Sequence, residues 1–191
     1  MSSKPNVLWI LTDQQRAETL SINGCQNVST PVLDGLARTG LNFTDAVSGF
    51  PLCCPYRGSL LTSRYPHHCV PGHEYRLSPD LPTVAHVFRE NGYDTFYLGK
   101  WLLDGAKEAQ ERAATHYIPR ERRGGFDSWL GYENNNAQYD CWLHGHRGAE
   151  EIPLFRLPGY ETDSLTDLLL EELRNHAGKG QPFFGVLSIQ P

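Results

Sequence analysis

The chain has 191 residues, of which 39% are hydrophobic and 20% charged, and a formal net charge of −5. This length and composition predict one folded domain, or part of a larger one, and the negative charge argues against a general nucleic-acid-binding protein. No apolar segment approaches the roughly 20 residues of a membrane-spanning helix, which argues against a membrane partner. The first residues lead into an apolar segment with no room for a signal peptide, so we expect a cytoplasmic protein.

The first predicted strand is the apolar segment at residues 7–11. An uninterrupted segment of this kind is typical of a central parallel strand that is buried on both faces. Asp13 and Gln14 follow at its carboxyl end, where open α/β sheets bind their ligands. A carboxylate and a carboxamide offer hard oxygen ligands for Ca²⁺ or Mg²⁺. The alternative is that Asp13 only caps or turns the chain.

The next two predicted elements are a short helix and a strand. Residues 30–40 predict the helix, with Pro31 at its first position and Gly40 at its end. Residues 41–46 alternate between apolar and polar side chains and therefore predict a strand.

The segment Cys53-Cys54-Pro55-Tyr56-Arg57 precedes a predicted helix at about residues 56–64. Pro55 suits a first helical turn, which places a cysteine at the helix N-terminus, where the N–H groups and the dipole favour an anion or a thiolate. Arg57 follows Cys53 by one turn. A nucleophile, a cation and free backbone donors together predict a site for a tetrahedral oxyanion such as sulfate or phosphate. The alternative is that both cysteines are ordinary core residues.

The second half of the chain predicts two further helix–strand pairs. Residues 80–92 predict a helix, and residues 93–100 predict a strand with Lys100 at its carboxyl end. A clear amphipathic helix at 163–175 and a buried strand at 183–190 follow. This alternation predicts an α/β fold with a predominantly parallel sheet and helices on both faces.

Residues 104–160 predict an insertion between these core elements. The segment begins with charged residues and becomes rich in aromatic, His and Asn side chains over 129–146. Polar insertions of this kind often carry substrate-recognition loops, and these side chains would suit a sugar or aryl group.

Four motifs in this order resemble the sulfatases of the alkaline-phosphatase-like superfamily, and the resemblance extends over essentially the whole chain. The signature C-x-P-x-R with a following Leu-Leu-Thr matches residues 53–62, and Asp-Gln after the first strand matches Asp13 and Gln14. Gly-Lys-Trp matches residues 99–101, and a helix start matches residues 160–167. The resemblance implies an alkaline-phosphatase-like α/β fold that is incomplete at the C-terminus, with residues 1–191 forming the N-terminal part of the catalytic domain.

The resemblance also implies a mechanism, sulfuric ester hydrolysis. Cys53 would be oxidised by a formylglycine-generating enzyme to formylglycine, whose hydrate attacks the sulfur of a small-molecule or glycan sulfate ester. A geminal diol can expel the sulfate afterwards, whereas a plain thiol or alkoxide would leave a stable ester on the enzyme. Arg57 would stabilise the formylglycine, and Lys100 would neutralise charge on the sulfate oxygens.

A divalent cation is the cofactor that the resemblance implies. Asp13, Gln14 and the modified Cys53 would hold it, with calcium the usual ion and Mg²⁺ or Mn²⁺ as alternatives. The cation would polarise the sulfate and lower the pKa of the attacking hydroxyl.

The chain departs from the family pattern in three respects. Leu102 occupies the position of a His that contacts the nucleophile or the sulfate. His73 lies where relatives often have Asn, and we predict that it contacts the substrate. The remaining metal ligands, a leaving-group His and a second Lys of the family lie beyond Pro191, so we expect residues 1–191 alone to bind metal poorly and to be inactive.

Two alternative functions stay open at this point. A phosphonate monoester or phosphodiester hydrolase of the same superfamily would use the same formylglycine and the same Asp-Gln pair. A degenerate sulfatase-like protein that only binds its ligand would retain the sheet and the anion pocket, and Leu102 is the sequence feature that supports it.

Overall fold

The structure, a computed structural model, describes residues 4–109 and 112–190. The strands in this part of the chain are β1 (Val7–Thr12), β2 (Asp94–Lys100), β3 (Ser128–Tyr132), β4 (Trp142–Arg147), β5 (Glu150–Arg156) and β6 (Phe183–Ile189). The α-helices are α1 (Pro31–Thr39), α2 (Cys53–Thr62), α3 (Val84–Glu90) and α4 (Glu161–His176). Among the residues described, no helix is long and apolar enough to cross a bilayer. The chain forms two compact units, a smaller one at Gln14–Ser48 and a larger one built from the residues on either side of it.

The six strands form one sheet in the order β1-β6-β2-β3-β4-β5. The pairs β1–β6, β6–β2 and β2–β3 are parallel, whereas β4 is antiparallel to both β3 and β5. The predicted α/β fold with a predominantly parallel sheet is therefore confirmed, with an antiparallel hairpin at one side.

Helices cover both faces of this sheet, as predicted. Alternate side chains of a strand point to opposite faces, so Phe184 and Val186 of β6 pack in one apolar cluster with Leu61 of α2. Leu187 of the same strand packs in a second cluster with Leu165 of α4.

Strand β1 lies at the edge of the described sheet, so the prediction of a central strand is wrong for this part of the chain. It pairs only with β6 among the described strands, and Ile10 is 56% exposed. The apolar sequence of β1 does not identify its neighbours, because burial of a strand face depends on segments distant in sequence.

The strand predicted at residues 41–46 is also wrong. The structure has a turn and irregular backbone there, and Leu41 and Phe43 are exposed. Alternation of apolar and polar residues yields a strand only when another strand supplies hydrogen-bond partners, and within the described residues none pairs with this segment.

Two helices start at positions that differ from the predictions. Helix α2 begins at Cys53, so Pro55 occupies its third position instead of its first. A first turn has no intrahelical N–H bonds, so proline is tolerated there as well. Helix α3 begins only at Val84, because Thr83 and His86 form a capping box at this position.

Residues 104–160 contribute β3, β4 and β5 to the sheet, while residues 110 and 111 lie outside the described part of the chain. Most of the aromatic and His side chains predicted to contact a sugar are buried in this sheet, including Trp129, Tyr132 and His144. Tyr139, which is 70% exposed, is accessible. A substrate-binding role of the segment stays a prediction.

Gly58 provides a test of how tightly α2 packs. A Cβ at Gly58 would lie 2.6 Å from Cγ2 of the fully buried Val70, whereas a Cβ at Gly35 of α1 would meet open space. We expect Gly58→Ala to lower the free energy of unfolding by about 1–3 kcal/mol through overpacking. Gly35→Ala should raise it by up to about 1 kcal/mol through helix propensity.

Urea denaturation of the full-length protein, followed by circular dichroism, measures both changes. Equal stability of the two variants would contradict the close packing of α2 against Val70.

Candidate active site

Three parallel strands end at one edge of the sheet and place polar residues there. Asp13 directly follows β1, and its N–H donates to the Ile189 carbonyl at the end of β6 at 3.2 Å. Lys100 is the last residue of β2. Because the carboxyl ends of parallel strands share an edge, this is where an α/β sheet binds ligands.

The Asp13 carboxylate is the centre of an ionic cluster at this edge. Lys100 Nζ lies 2.8 Å and Arg57 Nη2 lies 3.4 Å from Asp13 Oδ2. Cys53 Sγ lies 3.6 Å from Asp13 Oδ1, with the thiol as the donor. The structure thus brings together four residues that the sequence analysis selected from three separate segments.

The cluster carries a positive charge in a largely buried environment. Lys100 is 3% and Arg57 is 6% exposed. Burial alone would raise the pKa of the Asp13 carboxyl, but the hydrogen bond and charge of Lys100, together with the charge of Arg57, outweigh it and hold this pKa below its usual value. One carboxylate faces two cations, so the site favours an additional anion.

The Arg57 guanidinium is held by groups that the sequence analysis did not select. Nη1 donates to the Lys100 carbonyl at 2.8 Å and to Ser188 Oγ at 2.8 Å, and the Tyr97 hydroxyl lies 3.4 Å away. The only available signal in the sequence was Ser188 itself, a polar residue within the apolar segment of β6, since a buried hydroxyl requires a partner.

The two adjacent cysteines lie in different environments. Cys53 is partly exposed and faces Asp13, whereas Cys54 is buried, and its Sγ lies 3.6 Å from His73 Nδ1. Burial raises the pKa of the Cys54 thiol to about 11. Cys53 is therefore the cysteine of the pair that lies in the ionic cluster, and His73 contacts its neighbour.

The remaining two positions of interest both have left-handed backbone. Gln14 follows Asp13 with a φ of 54° and is the first residue of the smaller unit. Leu102 also has a φ of 54°, and its side chain, 5% exposed, packs in the apolar cluster that contains Leu61 and Trp101. Leu102 thus provides no polar group to the site.

The residues at this edge offer some, but not all, of the ligands that a divalent cation requires. The ionised Asp13 carboxylate and the Gln14 amide oxygen are hard ligands, and Ca²⁺ takes six to eight such oxygens. Among the described residues, no group of three or more His, Cys, Asp and Glu side chains could hold a metal ion. The residues present therefore fit one part of a cation site, and further ligands would have to come from elsewhere.

The loop after Lys100 is fixed by Glu133, which follows β3. The buried Glu133 carboxylate accepts hydrogen bonds from the N–H groups of residues 103–106, at 2.7–3.2 Å. Glu133 was not among the predicted site residues, because nothing in its local sequence indicates that a distant backbone segment supplies the donors.

Comparison with known proteins identifies the family. The family model described as Sulfatase matches residues 5–190. The chain belongs to the sulfatase family. This sulfatase chain is 40% identical over 155 residues to the ulvan-active sulfatase of Formosa agariphila, covering 73% of the chain and 29% of that protein. It is 26% identical over 188 residues to an N-acetylglucosamine-6-O-sulfatase of Bacteroides thetaiotaomicron, covering 95% of the chain and 29% of that protein.

A solved structure supports the same fold. The sulfatase chain matches a crystal structure of the yidJ protein from Bacteroides fragilis with a TM-score of 0.87 and 27% identity, covering all of the chain and 44% of that protein. The chain thus spans less than half the length of each of these relatives. The resemblance stated from the four motifs is confirmed at the level of the family and the fold.

Glu133→Gln tests the anchor of the loop in this sulfatase chain. A carboxamide has one acceptor oxygen, and its NH₂ group would face N–H donors, leaving buried backbone groups unpaired. We expect the free energy of unfolding of the full-length protein to fall by about 1–3 kcal/mol.

The exposed Glu121, changed to Gln, is the matched control, and we expect its stability to stay within about 0.5 kcal/mol of wild type. Urea denaturation measures both variants. An unchanged stability of Glu133→Gln would show that the four N–H groups do not depend on this carboxylate.

Proposed function

We propose that the protein to which this chain belongs hydrolyses a sulfate ester, with Cys53 providing the nucleophile after oxidation to formylglycine. The observation that carries the proposal is the meeting of Cys53, Arg57 and Lys100 around Asp13 at the carboxyl edge of the sheet. A partly exposed side chain beside two buried cations suits attack on an anionic ester, whose negative charge the cations offset.

Each residue of the cluster has a distinct role in this proposal. The hydrated formylglycine supplies one hydroxyl for attack on sulfur and a second whose deprotonation releases the sulfate. Arg57, held by its Nη1 bonds, orients the group at position 53. Lys100 offers its ammonium to the sulfate oxygens, and the Asp13 carboxylate keeps that ammonium at the edge of the sheet.

A divalent cation, which we propose to be Ca²⁺, completes the site. Asp13, Gln14 and the modified Cys53 would be its ligands from this chain, and it would polarise the bound sulfate. The Asp13 carboxylate would supply the negative charge that such a cation requires, and the cation would share it with Lys100 and Arg57.

The proposed substrate class is a sulfated sugar, with a formylglycine-generating enzyme as the maturation partner. The support for the sugar is the relative named N-acetylglucosamine-6-O-sulfatase, which aligns with 95% of this chain. His73 and the exposed Tyr139 are the side chains that we propose as substrate contacts.

The first test compares the two cysteines in the full-length protein, produced together with its maturation enzyme. We expect Cys53→Ala to abolish hydrolysis of an aryl sulfate and Cys54→Ala largely to preserve it, because Cys53 lies in the ionic cluster and Cys54 does not. Equal loss in both variants would overturn the assignment of the nucleophile.

Two further measurements on the wild-type protein separate the alternatives. Mass spectrometry of the peptide containing residue 53 detects formylglycine, and an unmodified cysteine would favour a protein that only binds its ligand. Faster turnover of a phosphodiester than of an aryl sulfate would favour the phosphodiester hydrolase.

The second test concerns the cation. We expect dialysis of the full-length protein against a chelator to lower sulfate ester hydrolysis at least about 100-fold and added Ca²⁺ to restore it, since charge stabilisation by a metal is worth several kcal/mol. Asp13→Asn should weaken Ca²⁺ binding in calorimetry, whereas the exposed Asp80, changed to Asn, should leave it unchanged. Equal affinity in both variants would exclude Asp13 as a ligand.

A further inference from the structure

We infer that Ser188 is a positioning residue that acts on catalysis through Arg57, with Tyr97 in a supporting role. The inference rests on the proposed function, because it concerns the same site. Neither residue belongs to the four motifs that indicated the family, and Ser188 comes from β6, which follows α2 by more than 100 residues.

The hydrogen bonds of Arg57 fix the orientation of its guanidinium. Nη1 carries two hydrogens, and it has two acceptors at 2.8 Å, the Lys100 carbonyl and Ser188 Oγ. The two acceptors therefore use both hydrogens and fix the plane of the guanidinium. Nη2 then lies on the side of Asp13, 3.4 Å from Oδ2.

Tyr97, the other residue near this guanidinium, has a buried side chain. Burial raises the pKa of its hydroxyl, and the charge of Arg57 and a hydrogen bond with Ser188 offset only part of that effect. The hydroxyl is therefore neutral and serves as a donor, and its acceptor is the Lys100 carbonyl. That carbonyl thus accepts from both Arg57 and Tyr97, which links the backbone of Lys100 to the guanidinium.

The pairing of β6 with β2 brings Ser188 close to Arg57. In the parallel pair β2–β6, Gly99 is the register partner of Ser188. Gly99 has a φ of 99°, and a Cβ at this position would overlap the Ser188 carbonyl oxygen. Glycine directly before Lys100 therefore permits a close approach of the two strands at the level of the site.

Loss of the Ser188 hydroxyl would change the orientation of the guanidinium. The change removes one atom from the sheet and takes away one of the two acceptors that lie 2.8 Å from Nη1. The guanidinium can then turn toward the Tyr97 hydroxyl, which lies 3.4 Å from Nη1, and away from its alignment with Asp13. Small displacements of orienting groups lower rates by up to about 100-fold.

The test uses three variants of the full-length protein and an aryl sulfate, with the formylglycine content of each variant measured by mass spectrometry. We expect Ser188→Ala to lower kcat/KM about 10- to 100-fold at equal formylglycine content, and Ser188→Thr, which retains the hydroxyl, to recover most of the activity. Ser164→Ala is the matched control, since Ser164 is also buried and donates to a backbone carbonyl, that of Pro158, at the start of α4.

A double-mutant cycle distinguishes positioning from a structural role. If Ser188 acts through Arg57, Ser188→Ala should have little further effect in an Arg57→Lys background, whereas independent effects would multiply. Multiplied effects, or wild-type activity of Ser188→Ala, would overturn the positioning role and leave the proposed function intact. A wild-type protein that hydrolyses no sulfate ester would overturn the proposed function and the positioning role with it.

Discussion

The arrangement of the candidate site depends on one largely buried carboxylate that faces two buried cations. Asp13 holds Lys100 at 2.8 Å and lies within 3.4 Å of Arg57, and each of the three residues comes from a different segment of the chain. Removing water from three charges is costly unless they compensate one another. The excess positive charge that remains favours an anion, and it arises because the ends of β1 and β2 and the first turns of α2 meet at one edge of the sheet.

Hydrogen bonds to the backbone also hold Lys100 and the loop that follows it in place. The Lys100 carbonyl accepts from Arg57, and the loop that follows it is held by the Glu133 carboxylate. The position of the lysine is therefore fixed from both sides by groups that do not touch the ammonium. Rigid support of this kind reduces the reorganisation that a reaction would otherwise require.

The sequence predicted best those features that depend on short segments of the chain, such as the positions of strands. The apolar segments of β2 and β6 predicted their strands closely, and the parallel alternation correctly predicted that Asp13 and Lys100 lie at one edge. The strand predicted at 41–46 is absent from the structure, and strands β3 to β5 lie in a segment that was predicted to be an insertion. Both differences arise because periodicity does not identify the pairing partners of a strand. The contact of Ser188 with Arg57 was not predicted for the same reason, since the two residues are 131 positions apart in the sequence.

The placement of β6 has a consequence for how the protein folds. Strands β1 and β2 do not pair with each other, and β6, which follows both in sequence, lies between them in the described sheet. During synthesis, the backbone N–H and C=O groups of β1 and β2 that face β6 therefore have no strand partner until β6 has been made. A sheet in which two strands wait for a third one far along the sequence is expected to fold slowly and to expose unpaired strand edges in the meantime.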